Sequence, residues 1–132
     1  MNFIEVAPKK NRGGSREQNH DVEISKASEA NKHVGYYFAV SKLAYENKIG
    51  YRHDERVYLR VLKTSTYPDR LYLSFSEDQK TGRRLYAPQR QNSQKRRCVF
   101  KGFDLASFEG NYQLTWDANE RMFYIDKSKK ED

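Results

Sequence analysis

Apolar and polar residues alternate strictly from Arg56 to Lys63 (RVYLRVLK). Val57, Leu59 and Val61 share one face, and Arg56, Tyr58 and Arg60 the other, which is the period of a half-buried strand. Arg70 to Phe75 (RLYLSF) repeats the pattern with Leu71, Leu73 and Phe75 inward. The turn-forming stretch TSTYPD, residues 64–69, lies between them, so the two strands form a hairpin. Upstream, Val22-Glu23-Ile24 alternates in the same way. His33 to Val40 (HVGYYFAV) is rich in β-branched and aromatic residues and reads as a buried strand. Ser41 then stands where a helix N-cap is needed, since its hydroxyl can accept from an open amide of the first turn. A short helix over 42–48 follows, with Leu43 and Ala44 facing inward. Gly50 ends it, as only glycine takes the left-handed conformation of a C′ position without strain.

The second half runs through the same elements. Residues 76–82 (SEDQKTG) form a polar link, and Arg84 to Ala87 is a short strand stopped by Pro88. Gln89 to Arg97 reads as a polar, basic loop and Cys98-Val99-Phe100 as a strand. Phe103 to Phe108 is a helical turn with Asp104 as its cap, ended by Gly110. Strands over 112–116 and 121–126 flank a hairpin loop at 117–120. A shift of 62 residues places Phe38 on Phe100, Leu43 on Leu105, Ala44 on Ala106 and Ile24 on Tyr86. Across a shorter hairpin loop, Arg70-Leu71-Tyr72 falls on Arg121-Met122-Phe123. An internal repeat decides a fold more strongly than any single element. The expected fold is mainly β (α+β): two β-β-α-β-β repeats, 22–79 and 80–127, forming a small barrel-like pseudo-dimer. A flexible basic N-terminal arm (1–21) precedes them and a charged tail (128–132) follows.

Charge adds the functional direction. The 132 residues carry a formal charge of +7 and a pI near 9.5. The stretch from Lys80 to Lys101 holds Lys80, Arg83, Arg84, Arg90, Lys95, Arg96, Arg97 and Lys101 and no acidic residue. A concentrated positive field of this kind attracts polyanions, nucleic acid first. No apolar run is long enough to span a membrane, and no membrane partner is expected. The single cysteine, Cys98, excludes an intrachain disulfide and suits a reducing cytoplasm. Arg96 and Arg97 beside it can lower a thiol pKa, but Cys98-Val99-Phe100 reads better as a buried strand segment. His20, His33 and His53 do not cluster with Cys98 at ligand spacing, so no metal or other cofactor is expected.

The β-β-α-β-β order resembles the AbrB/MazE/MraZ family of swapped-hairpin DNA-binding domains, best over residues 22–75. The likeness rests on Gly35-Tyr36-Tyr37-Phe38-Ala39-Val40-Ser41-Lys42-Leu43 and on Ile49-Gly50-Tyr51-Arg52-His53-Asp54-Glu55-Arg56-Val57-Tyr58-Leu59. These are similar to that family's Gly-plus-apolar strand, helix start and turn into the third strand. Val40-Ser41 replaces the usual proline at the helix start, and Asp54 or Glu55 stands for the glycine of the Gly-Asp turn. The resemblance implies an intertwined pseudo-dimer within one chain, or a homodimer. It also implies DNA contacts from the loops between the first two strands.

Those loops are 25–32, with Lys26 and Lys32, and 89–97. In the second, Arg90, Lys95, Arg96 and Arg97 suit phosphates, while Gln91 and Asn92 suit adenine edges. Arg83, Arg84 and Lys101 flank it as further phosphate contacts. Tyr58 and Tyr72, on outward strand faces, offer stacking to unpaired bases. A loose nuclease pattern, Pro68-Asp69 with Asp78-Gln79-Lys80, is present but short, and no catalytic residue is assigned. The sequence therefore predicts a non-enzymatic protein that binds duplex DNA and regulates transcription. The alternative is a small protein–protein interaction factor, phage or mobile-element encoded, whose basic face meets an acidic protein or a nucleic-acid-processing enzyme. A single-strand or RNA-binding β-module is a third option.

Overall fold

Alternation produces the predicted hairpin. Strands β3 (Tyr58–Leu62) and β4 (Arg70–Ser76) pair antiparallel, with Leu59 opposite Phe75 and Val61 opposite Leu73. The computed structural model describes residues 20–27, 35–52, 54–80, 82–86, 95–101 and 105–131. Its other strands are β1 (Val22–Lys26), β2 (Gly35–Val40), β5 (Arg83–Arg84), β6 (Arg96–Lys101), β7 (Gly110–Tyr112), β8 (Thr115–Asp117) and β9 (Met122–Asp126). They make two sheets, ordered β6-β2-β1-β7 and β5-β3-β4-β9-β8. Val22, Ile24, Tyr36, Phe38, Val40 and Cys98 of the first meet Leu59, Leu71, Leu73 and Ile125 of the second in one core. Each fully buried side chain of this size contributes about 1.5–3 kcal/mol by leaving water.

The described strands do not close into the expected barrel. The two sheets instead share chain at two corners. Residues 83–86 pair with β3 through Arg83–Arg84 and with β6 through a bridge between Tyr86 and Arg97. Residues 110–117 pair with β1 through β7 and with β9 through β8. The single strand expected over 112–116 is therefore broken at Gln113-Leu114. The Leu114 amide leaves the ladder and donates to the Asp21 carboxylate at 2.8 Å. Asp21 belongs to the folded part rather than to an arm. It is 8% exposed, ion-pairs with Lys48, and its own backbone binds Tyr112 and Ser41. The rest of the predicted arm, residues 1–19, lies outside the described residues.

Neither sheet belongs to one half of the chain. β2 pairs with β6, β4 with β9, β1 with β7 and β3 with β5. One register departs from the 62-residue shift. Ile24 faces Phe38, so that shift would set Tyr86 opposite Phe100, yet Tyr86 faces Arg97.

The helical segment after β2 also differs in detail. Ser41 Oγ accepts from the Ala44 amide at 3.1 Å, as its capping role requires. The chain then winds wide over Ala44–Ile49, and the Gly50 amide bonds back to the Tyr45 carbonyl at 3.1 Å, an i→i+5 step. That winding turns Ala44 and Tyr45 into the core and leaves Leu43, expected inward, 54% exposed. Gly50 takes the predicted left-handed conformation at φ 91°. The predicted helical turn before Gly110 is a 3-10 turn over Ala106–Phe108, while its cap Asp104 lies outside the described residues. The described residues of the charged tail are tied to the fold. Asp126 caps a 3-10 turn over Lys127–Lys129, and the Glu131 amide bonds the Asn111 carbonyl at 2.7 Å.

Candidate nucleic-acid interface

Strand β6 begins two residues earlier than the loop reading allows, and its period of two separates its basic residues. Register with β2 puts Arg96, Cys98 and Phe100 on the core face, opposite Val40, Phe38 and Tyr36. Arg97, Val99 and Lys101 consequently face outward. Arg96 is 9% exposed, with its guanidinium 4.3 Å from the Tyr45 ring centroid. A cation over an aromatic face away from water is worth about 2 kcal/mol. Arg96 thus serves the packing of the helical segment, and little of it remains for a phosphate. Burial raises the Tyr45 hydroxyl pKa, with Arg96 opposing. Burial likewise pushes the Cys98 thiol up to about 12 despite Arg83 nearby, so the cationic neighbours do not activate it.

On the outer side, Arg97 and Lys101 are exposed and Lys95 is half-buried. Lys95 Nζ lies 3.5 Å from Glu23. Among the described residues this is the one ion pair that reaches Lys95, Arg97 or Lys101. The Tyr86–Arg97 bridge brings the β5 segment alongside. Arg84, half-buried, lies 4.9 Å from the Tyr86 ring centroid, and Arg97 lies 5.1 Å from that of Tyr37. Tyr86 is 59% exposed. At exposed sites such contacts are worth roughly 0.5–1 kcal/mol, so both guanidiniums can turn to another partner at little cost. Gly82 sets the start of β5. At φ 83° it lies so close to β3 that a Cβ there would sit 2.3 Å from the Leu59 carbonyl oxygen.

The structure therefore brings Arg84, Lys95 and Arg97 together, with Lys101 about 13 Å further along β6 at the usual strand rise. Arg83 is exposed on β5 opposite Leu59. Lys26 ends β1 opposite Tyr36, on the core-facing register rather than the Arg97 face. Arg90, Gln91, Asn92 and Lys32 lie outside the described residues. Tyr37 and Tyr86 were the residues that sequence reasoning missed. The signal for Tyr37 was the alternation of Tyr36-Tyr37-Phe38, readable only once one member is known to face inward.

Tyr72, expected outward and free to stack, is 4% exposed. It sits under Arg70, whose guanidinium is sandwiched between the Tyr67 and Tyr124 rings at 4.0 and 4.1 Å. Arg70 donates to the Tyr72 hydroxyl at 3.0 Å, which donates to Asp117 at 2.9 Å. The Asp117 carboxyl is held below its ordinary value by the Glu120 amide first and by Tyr72. The adjoining hollow, about 260 Å³ and lined by Leu62, Thr66, Tyr67 and Met122, is smaller than the ~300–1,000 Å³ of ordinary ligand pockets.

The nuclease pattern does not assemble. Asp69 and Asp78 lie at opposite ends of β4, roughly 20 Å apart at the rise of a strand, too far to share one metal. Asp69 instead pairs with Lys127 at 3.6 Å, and Asp78 accepts from the Lys80 amide at 2.9 Å. No group of three or more potential metal ligands occurs among the described residues. None of their helices is long and apolar enough to cross a membrane. No family model matches the chain, and no curated protein or solved structure matches it.

Proposed function

We propose that this is a non-enzymatic DNA-binding protein, acting as a regulator of transcription, that meets its target on the outer face of β6 and the adjoining β5 segment. The observation that carries the reading is the gathering of Arg97 and Lys101 on one outward strand face, with Lys95 just before it, Arg84 beside them and, among the described residues, Glu23 alone in ion-pair range. Arg83, opposite the core residue Leu59, alternates away from Arg84 and stands at the margin of this face. Arg90 and the amides Gln91 and Asn92, just before the strand, are the base-reading candidates.

The regulator role follows from the swapped-hairpin resemblance. Support for an intertwined pseudo-dimer comes from the strand partners. The second strands of the two halves pair with each other (β2 with β6), as do the fourth (β4 with β9). Each first strand pairs with the third of the other half (β1 with β7, β5 with β3). That exchange is what two hairpins traded across a two-fold axis produce.

Titration against duplex DNA, single-stranded DNA and RNA at two salt concentrations tests the proposal. On duplex, three neutralised phosphates give a log–log salt slope of about −2.7, and Arg97→Glu with Lys101→Glu flattens it. Absence of binding to any nucleic acid at low salt sinks the proposal and leaves the basic face to an acidic protein.

A further inference from the structure

Arg84, Tyr86, Arg97 and Tyr37 form a file across neighbouring strands in which cations and rings alternate. The Tyr86 amide bonds the Arg97 carbonyl at 2.8 Å and the Arg97 amide returns to the Tyr86 carbonyl at 3.0 Å. Residues that exchange both bonds stand directly opposite, with side chains on one face. Tyr37 lies on β2, the strand on the other side of β6. Arg97 faces Ala39, and Tyr37 faces Val99 two residues along. Two strand spacings across and two residues along set the Tyr86 and Tyr37 positions roughly 12 Å apart, with Arg97 diagonal to Tyr37 between them. A ring that merely covers a sheet is buried, whereas Tyr86 is 59% exposed and has the Arg84 guanidinium 4.9 Å from its centroid.

In a duplex the base faces are occupied by one another, so a ring on a flat sheet has nothing to stack on. Unpaired bases present those faces, and sheets that carry aromatics between cations are a recurrent way of holding them. We infer that this file binds single-stranded nucleic acid. One base stacks on Tyr86 and a neighbour on Tyr37 or on the Arg97 guanidinium above it, while Arg84, Lys95 and Lys101 take phosphates. The inference rests on the nucleic-acid reading above and, for this face, replaces duplex by strands whose bases are unpaired.

The test compares fluorescent oligo(dT) with a duplex of mixed sequence in anisotropy titrations of the full chain. Tyr86→Ala is expected to weaken oligo(dT) binding about 5- to 150-fold, the range for losing one stacked base, with Tyr86→Phe retaining affinity and the duplex unaffected. Thermal melts of each variant verify folding. Independently, Tyr86→Trp should lose emission on adding oligo(dT), read against the Trp116 background of the unsubstituted protein. The stacking inference is overturned, and the broader reading survives, if Arg97→Glu weakens binding but Tyr86→Ala does not. The same holds if duplex binds as tightly as oligo(dT). Failure to bind either probe at low salt overturns both.

Discussion

Two outer surfaces of this protein use the same residue types to opposite ends. On the β4–β9 face, Arg70 lies between Tyr67 and Tyr124, bonds Tyr72, and has Asp117 at 3.9 Å. Asp126 stands opposite it across the strands. On the β6 face, Arg84, Arg97 and Lys95 sit against Tyr86, Tyr37 and one glutamate. The rings are similar and the Arg–ring contacts differ by about an ångström. The carboxylates differ more. Where they converge, the guanidinium is satisfied within the protein and acts as a clamp across strands. Where, among the described residues, the one glutamate reaches only Lys95, the Arg84 and Arg97 guanidiniums have rings and no carboxylate as partners. Counting arginines and tyrosines along a chain does not distinguish the two.

Both faces hang on one core, and the largest expected effect tests that. Phe38→Ala removes a fully buried ring of the shared core and should cost about 3–5 kcal/mol in urea denaturation. Tyrosine and far-ultraviolet signals should shift together; separate transitions would mean that the sheets are independent. A middle-sized effect separates clamp from contact surface. Arg70→Ala should lower the thermal midpoint and leave oligonucleotide affinity intact, the reverse of Arg97→Glu. Loss of affinity in Arg70→Ala would place the nucleic acid on the wrong face.

The smallest effect is in pH. Asp117 and Asp126 both titrate below their ordinary values when folded, Asp117 chiefly through the Glu120 amide and Asp126 through the Ser128 side chain. A lowered carboxylate adds stability that is complete above its unfolded pKa and is lost as pH falls through the folded one. The thermal midpoint should therefore decline below about pH 4, the unfolded Asp value, and Asp117→Asn should soften that decline. An unchanged acid profile in Asp117→Asn would remove Asp117 from the clamp.

Much of the fold was legible. The β3–β4 hairpin, the Ser41 cap and the left-handed Gly50 each follow from chemistry within a few residues. Leu43 was misread because an i→i+5 winding shifts which positions face inward, and that winding depends on Tyr45 finding Arg96 and the Glu55 carbonyl, contacts distant in sequence. Of the site, the charge of Lys80–Lys101 was plain, but the division of Arg96 from Arg97 was not. A polar run has no hydrophobic period to reveal where its strand begins.

By itself, then, the sequence determined which segments extend, where they turn and where the positive charge lies, because those depend on local propensity and spacing. Tertiary structure alone decided that Arg96 lies inside and Arg97 outside. Pairing β6 against β2 sets the register, and in a strand one residue of register exchanges the buried face for the exposed one.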